Sequence, residues 1–109
     1  MIPADEKLLG ERATWLESLG AERRLSANTL DAYERDTRQF LQFLSAHVGG
    51  TVKIDDIKAL RPADMRGFLA SRRKEGAGAR TLGRHLAGLR SFLRHLERKG
   101  LVNATGASA

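Results

Sequence analysis

The sequence predicts an all-α protein built as a bundle of four helices. Three observations carry that reading. Leu and Ala far outnumber the β-branched Val and Ile, which favours helices over sheets. Only two prolines interrupt 109 residues. Apolar residues recur three and four positions apart in four segments, and short joints marked by Gly or Pro separate them. The length suits one compact domain, and a hydrophobic share of 41% can supply a small core.

The first helix is expected from Asp5 to Glu22, with Leu8, Leu9, Leu16 and Leu19 at helical spacing beside Trp15. Asp5 and Glu6 suit the positive end of its dipole. The second follows Ser26, a good N-cap with Thr29 at the third helical position, and runs to about His47. Leu30, Tyr33, Thr37, Phe40, Leu41 and Leu44 share one of its faces, and Gly49-Gly50 ends it. Residues 51–61 read as a connector whose Ile54 and Ile57 tuck into the core. Pro62 opens the third helix, where its missing N–H costs little, and Met65, Phe68 and Leu69 are its buried residues as far as Lys74. Glu75 to Gly78 is a loop. The fourth helix spans Ala79 to Gly100, after which Leu101-Val102 returns to the core. The domain is thus read as residues 1–102, with 103–109 as the start of a linker.

Charge is distributed unevenly. Residues 1–57 hold seven Lys/Arg and ten Asp/Glu, whereas residues 58–109 hold twelve and three, for a net +6 overall. That asymmetry points to a polyanionic partner for the second half. The fourth helix concentrates it. At about 100° per residue, Leu82, Leu86, Leu89, Phe92, Leu93 and Leu96 fall within an arc of about 120°. Arg80, Arg84, Arg90, Arg94 and Arg98 fall within a second arc of about 120° on the opposite side, with no acid among them. Like charges at i,i+4 cost about 0.2–0.5 kcal/mol each, so an external phosphate ladder would offset a real penalty. The rival reading is a basic face that holds an acidic protein partner, a small helical interaction module.

The start of the second helix is a second candidate. Ser26, Asn28 and Thr29 surround free backbone N–H groups that could accept a phosphate, although plain capping uses the same residues. Arg35 and Arg38 lie away from the apolar stripe and could extend a basic surface, mixed with Asp31, Glu34 and Asp36. Thr81 could either cap the fourth helix or donate to a phosphate between Arg80 and Arg84.

Other chemistries are disfavoured. With no cysteine there is no disulfide, thiolate site or thiol nucleophile. His47, His85 and His95 have no metal-ligand spacing. Gly76-x-Gly78 lacks the preceding strand and third glycine of a dinucleotide loop. Ser71 and Ser91 have no partnered base, and Tyr33 falls on the apolar stripe. No apolar run approaches membrane-spanning length and no signal-peptide core is present, so a cytoplasmic protein without membrane contact is expected.

Two stretches resemble a known family. Leu25-Ser26-x-Asn28-Thr29-Leu30-x-x-Tyr33-x-x-Asp36-x-x-x-Phe40-x-x-Phe43-Leu44 resembles the opening of tyrosine site-specific recombinases of the Xer and phage-integrase type. So does Ala79-Arg80-Thr81-Leu82-x-Arg84-x-Leu86-x-x-Leu89-Arg90-Ser91-Phe92-Leu93-x-x-Leu96, followed by Gly100-Leu101-Val102-x-Ala104. The resemblance implies an N-terminal core-binding domain, a SAM-like four-helix unit forming half of a clamp on duplex DNA. It implies Ser26, Asn28, Thr29, Arg35, Arg38, Arg80, Thr81, Arg84, Arg90 and Arg94 as DNA contacts, and Tyr33, Phe40, Leu86, Leu89 and Phe92 as core. It implies further that the domain works beside other recombinase protomers on a recombination half-site. The family's tyrosine nucleophile and its arginines, lysine and histidines belong to a separate catalytic domain, and that chemistry needs no metal or nucleotide cofactor. No residue of this chain is therefore expected to be catalytic. His95-x-x-Arg98 has the spacing of a catalytic element but lies within the amphipathic fourth helix, so it is read as coincidence.

Overall fold

The computed structural model describes residues 2–103, so most of the expected linker, 104–109, lies outside the described residues. Among the described residues five helices form: α1 (Glu6–Ala21), α2 (Ala27–Val48), α3 (Ile54–Lys58), α4 (Pro62–Lys74) and α5 (Ala79–Arg98). Four of them are the helices that the periodicity predicts. The short α3 lies inside the expected connector. It is held by its own end: the Lys53 N–H donates to Asp56 Oδ2 at 2.8 Å, and Ile57 is buried while Ile54 is partly so. Five residues carry too little periodicity to register as a helix in the sequence.

The ends of the long helices follow local chemistry. Asp5 caps α1 by accepting from the Leu8 N–H at 2.9 Å. Ser26 caps α2 by accepting from the Thr29 N–H at 3.2 Å, and Gly49 at φ 79° ends it in the left-handed region. Pro62 takes the first position of α4, and the Arg61 N–H before it donates to Asp64 Oδ2 at 2.9 Å. A parallel bridge joins Ala4 to Val52, with Asp5 N to Val52 O at 3.0 Å and Val52 N to Pro3 O at 2.9 Å. It ties the segment before α1 to the joint after α2.

α5 is the spine. It packs most extensively on α2 and also touches α1 and α4. Trp15, Phe40, Phe68 and Phe92 fill the centre, with Trp15 5.1 Å from Phe92 and Phe40 5.2 Å from Phe68 between ring centroids. Tyr33 is half-buried and stacks on Trp15 at 6.1 Å. Val102 returns to the core and Leu101 partly covers it. The buried face of α5 comprises Leu82, His85, Gly88, Leu89, Phe92, Leu93, His95 and Leu96. Its centre is turned by roughly 40° from the leucine arc read in the sequence. Leu86 is consequently only half-buried, and two histidines and a glycine take the place expected for leucine. Leu69 is likewise only partly buried.

Polar groups lie within this core. Asp36 of α2 is fully buried; Arg84 of α5 reaches it with Nε at 3.1 Å and Nη2 at 2.9 Å. His85 Nδ1 lies 2.8 Å from Asp36 Oδ1, off the line of a well-formed hydrogen bond. Arg12 joins α1 to α2, donating from Nε to Thr37 Oγ1 at 2.9 Å and from Nη2 to the Glu34 carbonyl at 2.7 Å. His95 Nε2 lies 3.0 Å from Glu11 Oε1. Burial holds the His85 imidazole below its ordinary value, outweighing the attraction of Asp36, while Arg84 and Arg72 add repulsion.

Two glycines make a contrast that tests the α2–α5 contact. A Cβ on Gly88 would stand 3.0 Å from Tyr33 Cδ1, whereas one on Gly10 of α1 meets nothing within 4 Å. Gly10→Ala should raise stability by about 0.5–1 kcal/mol through helix propensity. Gly88→Val should lower it by about 1–3 kcal/mol through overpacking. Urea unfolding of both variants decides, and a neutral Gly88→Val would mean that the helices are not held at this separation.

His85 supplies a second prediction. Between its depressed value and the ordinary imidazole value of about 6.5, the unfolded chain binds a proton that the folded chain does not. The contribution of neutral His85 is therefore complete above about pH 6.5 and is lost as pH falls through that value. Unfolding midpoints should drop between about pH 7.5 and about pH 5.5, with a flatter dependence in His85→Leu. Equal slopes in the two proteins would show that another group titrates.

Candidate nucleic-acid interface

α2 and α5 run antiparallel, because Tyr33 faces Gly88 while Asp36 faces Arg84. The start of each helix therefore lies beside the far half of the other. The two helix N-termini singled out in the sequence, at Ser26 and at Thr81, stand at opposite ends of the pair and do not form one anion site.

At the start of α2 the hydroxyls are engaged with each other. Ser26 Oγ accepts from the Thr29 N–H and donates to Thr29 Oγ1 at 3.0 Å. Capping thus accounts for both side chains, while Asn28 is exposed beside them. At the start of α5 the N-cap is Gly78, with no side-chain cap bond, so Thr81 sits half-buried at the third position and does not cap the helix.

The arginines divide into two groups. Arg38 donates from Nε to Glu34 Oε1 at 3.0 Å, and the same oxygen lies 3.3 Å from Arg12 Nη2. Arg84 is bonded twice to Asp36, and those bonds hold its guanidinium above its ordinary range. The arginine arc of α5 is therefore not free of acids: Asp36 enters from α2, 48 residues away, a partner no local window could show. Arg84 lies at the edge of the arc nearest α2, which is why it is the member captured. Its remaining donors stay accessible, since its side chain is 36% exposed. Arg35, Arg80, Arg94 and Arg98 are exposed, and among the described residues no carboxylate pairs with them. Arg90 is half-buried at the other edge of the arc. Between the arginines, Gly83 and Ala87 are exposed, so the middle of this face is low.

Asp36 and His85 were not singled out as site residues, yet they set the position of Arg84. A signal was present. Asp36, grouped by the sequence with the mixed polar surface, lies three residues after Tyr33 and four before Phe40, beside the edge of the apolar stripe, and in the fold it is buried, where a carboxylate must find a partner. His85 lies three and four residues before Gly88 and Leu89 on the buried face of α5. Among the described residues no cluster of three or more His, Cys, Asp or Glu side chains could hold a metal ion. Among the described residues no helix is long and apolar enough to cross a membrane.

Residues 13–100 match the family model described as the phage integrase N-terminal SAM-like domain. A tyrosine recombinase XerC of Rhizobium meliloti is 69% identical over 103 residues, covering 94% of this chain and 32% of the relative. Those of Agrobacterium fabrum and Mesorhizobium japonicum are each 65% identical, covering 97% and 100% of this chain but 34% and 35% of the relative. The chain thus spans about a third of the length of the curated relatives it matches. No solved structure matches it at a significant level. With the family model covering most of its length and these relatives aligned along it, the chain belongs to the phage-integrase N-terminal SAM-like domain family, as a segment similar to the tyrosine recombinases XerC.

Proposed function

We propose that this chain grips one half-site of a recombination target in duplex DNA. It would position the scissile phosphate for the catalytic part of a tyrosine recombinase. The observation that carries this reading is the outward face of α5, where Arg80, Arg94 and Arg98 stand exposed beside the low surface of Gly83 and Ala87. Guanidinium groups spaced along a helix suit phosphates along a groove, and neutralising those phosphates releases counterions. Arg35 of α2 and the accessible side of Arg84 extend the same charge. Asn28 would add a polar contact at the start of α2, and the Thr81 hydroxyl one near Arg80. In this division of labour Arg84 and Arg38 act first as structural cations, and the exposed arginines act as phosphate ligands.

The chain itself positions DNA and does not cut it. Strand exchange through a phosphotyrosine would draw on the further two-thirds of the relatives' length. Other recombinase protomers would sit on the neighbouring half-site, and a DNA target places the protein in the cytoplasm.

The Arg80→Ala/Arg94→Ala variant tests the assignment. Each lost phosphate contact should flatten the plot of log affinity against log salt by about 0.9, so the double variant should lose about 2 units of slope. At low salt its binding to a mixed-sequence duplex should weaken at least tenfold, as read by fluorescence anisotropy. Unchanged affinity and slope would overturn the interface. Retention of the unaltered chain on an acidic peptide but not on duplex DNA would instead make it a protein-interaction module.

A further inference from the structure

Two side chains of α5 meet one carboxylate oxygen of α2. Asp36 Oδ1 accepts from Arg84 Nη2 at 2.9 Å, and His85 Nδ1 lies 2.8 Å from the same atom. We propose that this arrangement is a proton-driven switch: a proton taken up by His85 passes Asp36 from Arg84 to the imidazolium and turns the Arg84 guanidinium outward. The proposal does not depend on the duplex-binding reading above.

Burial decides which group gives way. His85 is 1% exposed, with the ring of Phe68 of α4 edge-on to it at 5.8 Å between centroids, and Asp36 is fully buried. The side chain of Arg84 is 36% exposed. While neutral, the imidazole makes no well-formed hydrogen bond through either ring nitrogen. A proton from solvent makes both nitrogens donors and sets a full positive charge beside Asp36 Oδ1. An imidazolium sealed from water depends on that carboxylate for its stabilisation, whereas a guanidinium at the surface can be hydrated instead. The two cations, adjacent on α5, also repel each other. The buried cation therefore keeps Asp36, and the surface cation leaves.

The surroundings set the resting state and leave room for the other. The charged groups that act on His85 are Asp36 of α2, Arg84 beside it on α5 and Arg72 of α4. Arg72 has its own partner, donating from Nη1 to Glu75 Oε2 at 2.9 Å. α1 meets α5 further along, where Glu11 lies against His95. Burial is the strongest influence on His85 and holds it below its ordinary value, so at neutral pH the carboxylate stays with Arg84. Next to Arg84 the surface is low: Gly83 and Ala87 are exposed, and a Cβ on Gly83 would meet nothing within 4 Å. A proton buried at His85 thus reappears as a free guanidinium on the outward face of α5, one turn from the exposed Arg80.

The test follows two signals of the full chain by NMR over a pH series: the His85 ring, and exchange of the Arg84 Nε–H with water. Exchange of such a group is catalysed by hydroxide, so it slows on acidification as long as its bond holds. As His85 titrates, below about pH 6.5, exchange at Arg84 should instead accelerate at least about tenfold, while the far-UV circular dichroism stays native. The Nε–H of Arg38, held by Glu34, serves as the control and should slow throughout. In His85→Gln the Arg84 Nε–H should slow throughout as well. Slowing at Arg84 through the titration of His85 would overturn the switch. Acceleration that persists in His85→Gln would do the same, because Asp36 itself would then take the proton. Unfolding before His85 titrates would reduce the histidine to a buried base whose charging breaks the core. If His85→Gln does not fold, the unaltered chain decides alone: an Arg84 midpoint displaced from that of His85 overturns the switch, and coincident midpoints support it.

Discussion

A carboxylate without access to solvent, Asp36, lies where α2 crosses α5, and the rest of the structure is organised to satisfy it. An isolated buried charge costs several kcal/mol. Arg84 meets it with two hydrogen bonds, and His85 Nδ1 lies 2.8 Å from the Oδ1 that Arg84 Nη2 also binds. Removing one partner of such a pair typically costs about 3–5 kcal/mol, because the other is left buried and uncompensated. The pair therefore specifies how α2 and α5 sit together more than it adds to net stability. A slide of one turn toward the end of α5 would set Gly88 in the place of Arg84 and take from Asp36 its bonded partner. Gly88, closed against Tyr33, lets the backbones approach closely enough for Arg84 to reach.

That register governs the charge of the surface. Folding withdraws Arg84 and Arg38 into contacts with Asp36 and Glu34, both of α2, and leaves the remaining exposed arginines of α5 facing outward. The acids of the first half of the chain are thus partly spent on holding the second half in place. Part of the positive charge that survives lies along α5, whose apolar side is anchored by Trp15, Phe92 and Leu96. A face held this rigidly presents its guanidinium groups at fixed spacing, which lowers the entropic cost of binding any partner with regularly spaced anions.

Much of the fold was legible because its signals are local. Asp5, Ser26, Gly49 and Pro62 act within one turn of their own positions, so the ends of α1, α2 and α4 follow from the residues there. The 3.6-residue rhythm of α2 and α5 survives in the folded molecule. What escaped notice is short or distant. α3 is too brief to show a period, and the Ala4–Val52 bridge joins backbone atoms far apart in the chain, with no side-chain signature. At the candidate site the arginine arc was visible, but its division was not. Arg84 differs from Arg94 only in what faces it, and that partner lies 48 residues upstream.

The amino-acid order alone determined the helical class, the extents of the four long helices, the basic face of α5 and the family resemblance, since each rests on residue type and spacing along one helix. Tertiary structure decided which arginines are structural and which face outward. It turned the buried arc of α5 from Leu86 toward His85 and His95, and it set His85 against the carboxylate that Arg84 holds. These depend on the register between helices, which is set by pairing a buried charge with its partner. That pairing is an energy between distant positions and leaves no period in the sequence.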